Sequence, residues 1–528
     1  MTTIAIDFGT SNTVVAWLAP DTQAPQILHL GPLARRFANP WGETVSVVPS
    51  LVYVPETPDN PLVLGEPVRS QRWAYRAPER TFVGFKRGLA ADFSPPPRQI
   101  AGRTYDNAAI AQQFLTGLWA EILAQGIEPS QLILTVPVGA FERYLGLLRQ
   151  WSQRLAVADV RFVDESTAAA LRYAPVNIQI NVQSIVLVID WGGGTLDLSL
   201  VRLPVAIGSN SPAQVLAKAD AYLGGEDIDR AIIEEYFNTQ AQNLAAVTTV
   251  EPLSRAQLLE LAERLKIQLS QTEAARETWL DETTFQAHEL HLSRDRLREI
   301  LETAGFLAQL RDSLDEVLQL AQGQGVSKAE IEQVILVGGT CLMPMIQDVV
   351  IAYFGRSRVK VAHPFTAVAE GALAVAQLIA VQDYLQHSYA IQLWDPGLQD
   401  YTYFTLFAKG TYYPCLRPEP LTLQVAQDGE SEVRLNVGEI AEHLPREVTY
   451  DALGRLTSRQ RSATAAYHAL QRHNRDICIA RLNPPGVAGQ DRIRVDFEVN
   501  AQRMLLATVT DLLTRQVLVD REAIAQLT

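Results

Sequence analysis

The stretch "IVLVIDWGGGTLDLSLV", residues 185–201, decides the fold. It runs apolar strand, acid, three glycines, threonine, acid, apolar strand. Consecutive glycines fill a strand badly, because each costs backbone entropy and offers no side chain to pack. They suit a turn that must bring backbone N–H groups against phosphate oxygens with no Cβ in the way. Asp190 and Asp197 flank the turn and would repel a bare phosphate. They make sense with Mg²⁺ and its waters between acid and anion. The chain opens on the same design, "IAIDFGTSNTVVAWL", where Asp7-Phe8-Gly9-Thr10 parallels Asp190-Trp191-Gly192-Gly193 and Thr195 completes the second copy. One such hairpin could be a tight turn with a surface acid. Two copies 183 residues apart predict a duplicated α/β unit and a two-part phosphate clamp. The hydroxyls of Thr10, Ser11 and Thr195 would donate to the same oxygens.

A third glycine element lies in "EQVILVGGTCLMPMIQDVVIAYFG", residues 332–355. A buried strand ends in Gly338-Gly339 and a helix begins near Pro344. Glycines at that point let a flat ring approach the backbone. No GxxxxGK[ST] is present, so the chain is not a P-loop protein.

The bulk properties narrow the function. A length of 528 residues calls for two or more domains. Hydrophobic residues make up 47% and charged residues 20%, ordinary globular values. A net charge of −14 disfavours nucleic acid as partner, since phosphate contacts need a basic face. The start "MTTIAIDFGTSN" has neither a basic nor an apolar leader segment, and no run is long and apolar enough for a membrane span. Cys341, Cys415 and Cys478 are scattered, which argues against a disulfide framework or zinc site and fits a reducing cytoplasm.

Residues 1–384 alternate buried-strand runs with amphipathic helical patterns, an α/β signature. From about residue 388 the pattern alternates strictly, as in "SEVRLNV" and "DRIRVDFEV", so 385–528 is expected to be an all-β, sandwich-like domain. Between its strands lies an insertion, 446–476, with six arginines. Its simplest role is a solvated loop; a docking surface for an acidic partner is the alternative. In the helix 254–271, Ser254 and Gln257 make a capping-box pattern, and Leu258, Leu261, Ala262, Leu265 and Leu269 form an apolar stripe. Glu263, Lys266 and Ser270 share its polar face.

Two phosphate hairpins followed by a GG element resemble the actin-like (ribonuclease H-like) ATPase fold. "YLGGEDIDRAIIEEYF" and "AERLKIQLSQTE" resemble segments of the heat-shock protein 70 chaperones, and "VVPSLVYVPE", "RTFVGFKRGLA", "LTVPVGAF" and "FVDESTAAALRY" resemble others in that family's order. The β tail resembles that family's peptide-binding domain less closely. The resemblance implies a two-lobed domain binding ATP or ADP with Mg²⁺, with K⁺ as a further cation. It implies that Asp7 and Asp190 hold the metal through water. It assigns catalysis to Lys86, Glu165, Asp197, Thr195 and Asp7, the set phosphoryl transfer to water needs. It places Gly9, Thr10, Ser11, Asn12, Gly192, Gly193, Gly194 and Thr195 on the phosphates. Gly224, Gly225, Glu226 and Asp227 border phosphate and ribose. Glu263, Lys266, Ile267, Ser270, Gly338, Gly339 and Leu342 take the nucleoside. Ala426, Val433 and Leu435 fall on family peptide-pocket positions, though alternating apolar residues are more often core. The expected partners are unfolded or client polypeptide, a J-domain cochaperone and a nucleotide exchange factor, and the expected state is a monomer.

Four departures from the family pattern bear on function. Leu342 stands where the family stacks an Arg on adenine, opposite Ile267, so both faces of the base would be apolar. Phe365 replaces an Asp near the metal's water shell. Leu145 occupies the place of an Arg that relays the nucleotide state. The Leu-rich linker is replaced by "DYLQHSYAI", and the chain stops at 528 with no room for a helical lid. The expectation is a divergent, slowly hydrolysing chaperone with altered coupling. Its alternative is a non-hydrolysing scaffold for one dedicated partner. A sugar kinase or a filament-forming actin relative fits the first lobe and the β tail poorly.

Overall fold

In the computed structural model, the duplicated sequence pattern becomes two sheets of the same design. The structure describes the chain except residues 1, 19–23, 58–59, 91–94, 139–141, 175–183, 207–211, 244–251, 281–286, 362, 378–380, 386, 396–399, 426, 442–445, 451–455, 461–465, 471–476, 502 and 528. It divides into two units, Met1–Val381 and Gln382–Thr528.

In the first unit, strand Thr3–Phe8 pairs antiparallel with Asn12–Leu18 and parallel with Gln131–Val136, which pairs parallel with Asp159–Asp164. The second sheet repeats this. Ile185–Trp191 pairs antiparallel with Leu196–Arg202 and parallel with Ile331–Val337, which pairs parallel with Val359–Val361. Ala213–Ala221 extends it on the hairpin side. Each outer parallel strand feeds a short Ala-rich helix, Glu165–Leu171 in one repeat and Ala367–Val375 in the other. The helices are exchanged: the first packs on the second sheet and the second on the first sheet. They cross where a Cβ on Gly371 would lie 1.9 Å from the Ala168 carbonyl oxygen, so small residues set their approach. Arg172 and Glu370 pair across the crossing. One core cluster gathers both helices with Ala5, Val14, Val186 and Val188, joining the lobes.

The helix expected at 254–271 runs Pro252–Leu269, so Ser254 lies within it rather than capping it. A proline fits a first helical position because its missing N–H has no partner to lose there. Its apolar stripe is buried as expected.

In the second unit, two five-stranded sheets enclose one core. Ser388–Asp395 pairs with Asp400–Phe407 and Glu432–Ala441 in one sheet; Asp491–Val499 pairs with Met504–Asp511 in the other. Alternate residues point inward, including Ile391, Leu435, Val437, Val495 and Phe497. In the arginine-rich insertion Arg446–Tyr450 and Leu456–Gln460 form a hairpin; most of the rest lies outside the described residues.

Candidate functional site

The two glycine hairpins face each other at atomic contact. A Cβ on Gly193 would lie 2.1 Å from Ser11 Oγ, and one on Gly194 would lie 2.6 Å from Thr10 Oγ1. Neither position has room for a side chain, which accounts for two of the three glycines; Gly192 faces open space. The first turn is braced by Ser50, whose hydroxyl donates to the Gly9 carbonyl at 2.7 Å and contacts Thr13 Oγ1 at 2.9 Å.

The loop at 222–227 is stitched to the second hairpin. Gly225 N donates to Gly192 O at 3.0 Å and Glu226 N to Gly193 O at 2.9 Å. A Cβ on Gly224 would lie 2.2 Å from Gly193 O. Thr340 Oγ1 donates to Gly192 O at 2.9 Å, bringing in the GG element, where Gly338 has φ +81° beneath the Trp191 carbonyl. Lys266 Nζ donates to Gly225 O and to Asp229 Oδ2, both at 2.8 Å. The five elements singled out in the sequence thus converge on one place. The loop also reaches the other lobe: Arg87 Nη1 meets Asp227 Oδ1 at 2.8 Å and Arg87 Nη2 donates to Tyr222 O at 3.2 Å.

Beneath the hairpins lies a buried charged cluster. Lys86 Nζ donates to Glu165 Oε1 at 2.5 Å, and both side chains are buried. Burial works against the Lys86 charge, but Glu165, Tyr144 and Asp7 outweigh it and hold the ammonium well above its usual range. Burial pushes Asp7 up to about 7, with Glu165 adding to the rise and Lys86 and the Thr135 hydroxyl, 3.0 Å away, opposing it. Burial pushes Asp197 up to about 8, reinforced by Glu165 and Asp220, although Val138 N donates to its Oδ1 at 2.9 Å. Asp190 is raised well above the carboxylate range, first by burial and then by Glu165, Asp197 and Asp7. Asp190, Asp197 and Asp220 stand directly opposite one another on neighbouring strands. Like charges so placed destabilise a sheet unless a cation or protons compensate. Among the described residues, no three acidic, His or Cys side chains gather closely enough to ligate a metal directly. Acid-rich strands below a backbone cradle fit a hydrated cation held under phosphates.

Of the residues expected to take a nucleoside, Ile267 is 51% exposed and Leu342 half-buried. Glu263 is half-buried, and Ser270 Oγ donates to the Lys266 carbonyl of its own helix at 3.1 Å. Burial raises Glu226, with Arg230 and Arg87 opposing. Asn12 opens the second strand of the first hairpin, and a Cβ on Gly339 would touch Phe365. Phe365 packs edge-on against Phe37, centroids 5.2 Å apart. Leu145 is buried in the first lobe's core. Of the peptide-pocket residues, Leu435 is 4% exposed inside the sandwich core, Val433 packs against that core, and Ala426 lies outside the described residues. Leu435 serves packing in this arrangement and offers no surface to a peptide.

Spacing alone gave no sign of Thr135, Ser50, Thr340, Asp229 and Tyr144. Each reaches the site from an element whose pattern reads only as strand, helix or turn. Asp220, three residues before "LGG", carried the faintest signal.

The family model for Hsp70 protein matches residues 153–390. The chain is 27% identical over 448 residues to chaperone protein DnaK of Thermosipho africanus, covering 82% of this chain and 69% of that protein. It is 28% identical over 453 residues to chaperone protein DnaK of Thermotoga petrophila, covering 82% and 70%. Over these residues the chain resembles the heat-shock protein 70 family. Its two-lobed first unit has the actin-like ATPase fold, and its second is a β-sandwich. The matched region, residues 153–390, holds the second glycine hairpin, the 222–227 loop and the GG element.

Proposed function

We propose that this protein binds ATP with Mg²⁺ between its glycine hairpins, hydrolyses it slowly, and uses its β unit to hold apolar segments of client polypeptides as a chaperone. The observation that carries this is the buried Lys86–Glu165 pair, set with Asp7 and Asp197 under two hairpins that touch. Backbone N–H groups and the hydroxyls of Thr10, Ser11 and Thr195 would take the phosphates. Asp7 and Asp190 would hold the waters of Mg²⁺, which supplies charge compensation for the phosphates. Lys86 would orient the attacking water and terminal phosphate, and Glu165 and Asp197 would accept its proton. K⁺ would serve as a further cation. Glu263, Lys266, Ile267, Ser270, Gly339 and Leu342 would hold the nucleoside, with adenine between apolar faces. The intact charged cluster favours a hydrolysing protein over a scaffold. We propose a cytoplasmic monomer that works with a J-domain cochaperone and an exchange factor.

Single-turnover hydrolysis with Mg²⁺ tests this. The wild type should convert bound ATP to ADP, and Lys86→Ala and Thr195→Ala should each slow the step by roughly 100-fold, as loss of preorganised electrostatic partners does. Equal rates in all three proteins would remove the enzymatic assignment, and failure to bind ATP would remove the whole proposal.

A further inference from the structure

The charged cluster contains one group that the reaction as set out above does not use. Tyr144 lies on the helix Glu142–Ser152, which packs against the helix Phe85–Ala90 that carries Lys86. Its side chain is fully buried in the first lobe's core, among Phe85, Leu145, Leu148 and Trp151. Among the described residues its hydroxyl nevertheless has no hydrogen-bond partner. A buried hydroxyl without a partner is a cost that a phenylalanine of the same shape would avoid. Where the hydroxyl sits explains the retention of tyrosine. It stands within electrostatic reach of Lys86, Glu165 and Asp7 together. Those three side chains come from a helix, a strand-to-helix turn and the end of the first hairpin strand. An O–H group held among them points to an oxygen that arrives with a ligand.

We propose that the Tyr144 hydroxyl donates a hydrogen bond to the oxygen taken up between Lys86, Glu165 and Asp7 at the terminal phosphate of the bound nucleotide. This rests on the ATPase assignment above and adds one residue to it. Burial pushes the phenol well above its ordinary value, so it remains an O–H donor at any working pH. A neutral donor is suited to this spot. Lys86 already supplies positive charge, and a second cation would compete with it for Glu165. The rigid ring fixes the donor's position at little conformational cost. Tyr144 therefore supplies placement rather than proton transfer, and no bond to it forms or breaks.

Tyr144→Phe in the full-length protein isolates the hydroxyl, since it keeps shape and apolar burial. Three quantities are read: thermal unfolding, affinity for Mg·ADP alone and with tetrafluoroaluminate as a terminal-phosphate mimic, and the single-turnover rate with Mg·ATP. The expected result is an unfolding temperature equal to or above wild type and an ADP affinity unchanged within about twofold. The rate, or the gain in affinity on adding tetrafluoroaluminate, should fall roughly 10- to 100-fold, the loss of one hydrogen bond to a charged group. A fall in affinity would mark a phosphoryl oxygen as the acceptor; a fall in rate alone would mark the attacking water. Wild-type values for both would overturn the proposal, as would losses confined to stability and ADP affinity, which mark a packing role. A wild type that hydrolyses ATP beside an unchanged variant leaves the ATPase assignment standing and removes only Tyr144. A wild type that binds no nucleotide removes both.

Discussion

At the scale of single residues, the paired glycine hairpins contain places where no side chain fits. Gly224 faces the carbonyl of Gly193, and backbone cannot swing aside as a side-chain tip can. Gly224→Ala should therefore cost about 1–3 kcal/mol of stability, as overpacking does, and weaken ATP binding more than Gly193→Ala, whose Cβ meets first the Ser11 side chain. Calorimetric titration with Mg·ATP and denaturant unfolding compare the two. The acids make a second residue-scale prediction. Asp7 and Asp197 have folded pKa values raised to about 7 and about 8, above the ordinary 3.8. The folded state then binds protons more tightly than the unfolded chain, so the penalty is absent near pH 4 and grows as pH rises towards 8. The nucleotide-free protein should lose thermal stability between pH 6 and 8. Asp197→Asn should raise the unfolding temperature at pH 8, leave it nearly unchanged at pH 4, and slow hydrolysis. A Tm in Asp197→Asn that tracks wild type at every pH would show that burial of this acid carries no such penalty.

At the scale of elements, the lobes are joined by contacts that sequence spacing does not reveal. Lys218, on the strand Ala213–Ala221, pairs with Asp164 at the end of Asp159–Asp164, and both side chains are 1% exposed. Beside them Ser166 and Ser199 share a hydrogen bond of 2.6 Å. Lys218→Met removes the charge opposite Asp164 and should destabilise the first unit by about 3–5 kcal/mol, whereas adding Asp164→Leu should recover much of that loss. Urea unfolding of both variants decides it; equal stability of single and double variants would contradict the pairing. Arg87 joins the lobes at the loop side through Asp227 and Tyr222. Arg87→Ala should release bound ADP several-fold faster with little change in global stability, as stopped-flow displacement would show.

At the scale of the whole molecule, the replaced linker becomes informative. Asp383 accepts hydrogen bonds from Tyr413 Oη at 2.8 Å and Arg503 Nη2 at 2.9 Å, and Leu385 is fully buried in the sandwich core. The first linker residues are thus anchored within the β unit. With Leu145 buried as an apolar core residue, this predicts a peptide release rate insensitive to ATP, read by fluorescence with a labelled apolar peptide. Acceleration by ATP of tenfold or more would show that the two units are coupled through other residues. Mg·ATP at 100 times its Kd should stabilise the first unit by about 2.7 kcal/mol, and chelating the metal should remove most of that gain.

Much of this protein is written in its order of residues. Two strand–acid–glycine–strand hairpins, the third GG element and the switch to strict alternation near residue 388 determined the repeated α/β unit, the paired glycine turns and the β tail. Those features are local, because glycine, acid and apolar periodicity act within a few residues of one another. What tertiary structure decided is everything that depends on close approach between distant segments. Ser11 against Gly193, Thr340 on Gly192, the Lys218–Asp164 pair and the Tyr144 hydroxyl beside Lys86 each join positions tens to hundreds of residues apart. A serine, threonine, lysine or tyrosine in a periodic pattern reads as surface or core until the fold sets its neighbours. The glycines announced the clamp; only the packing of two lobes showed which side chains fill the space around it.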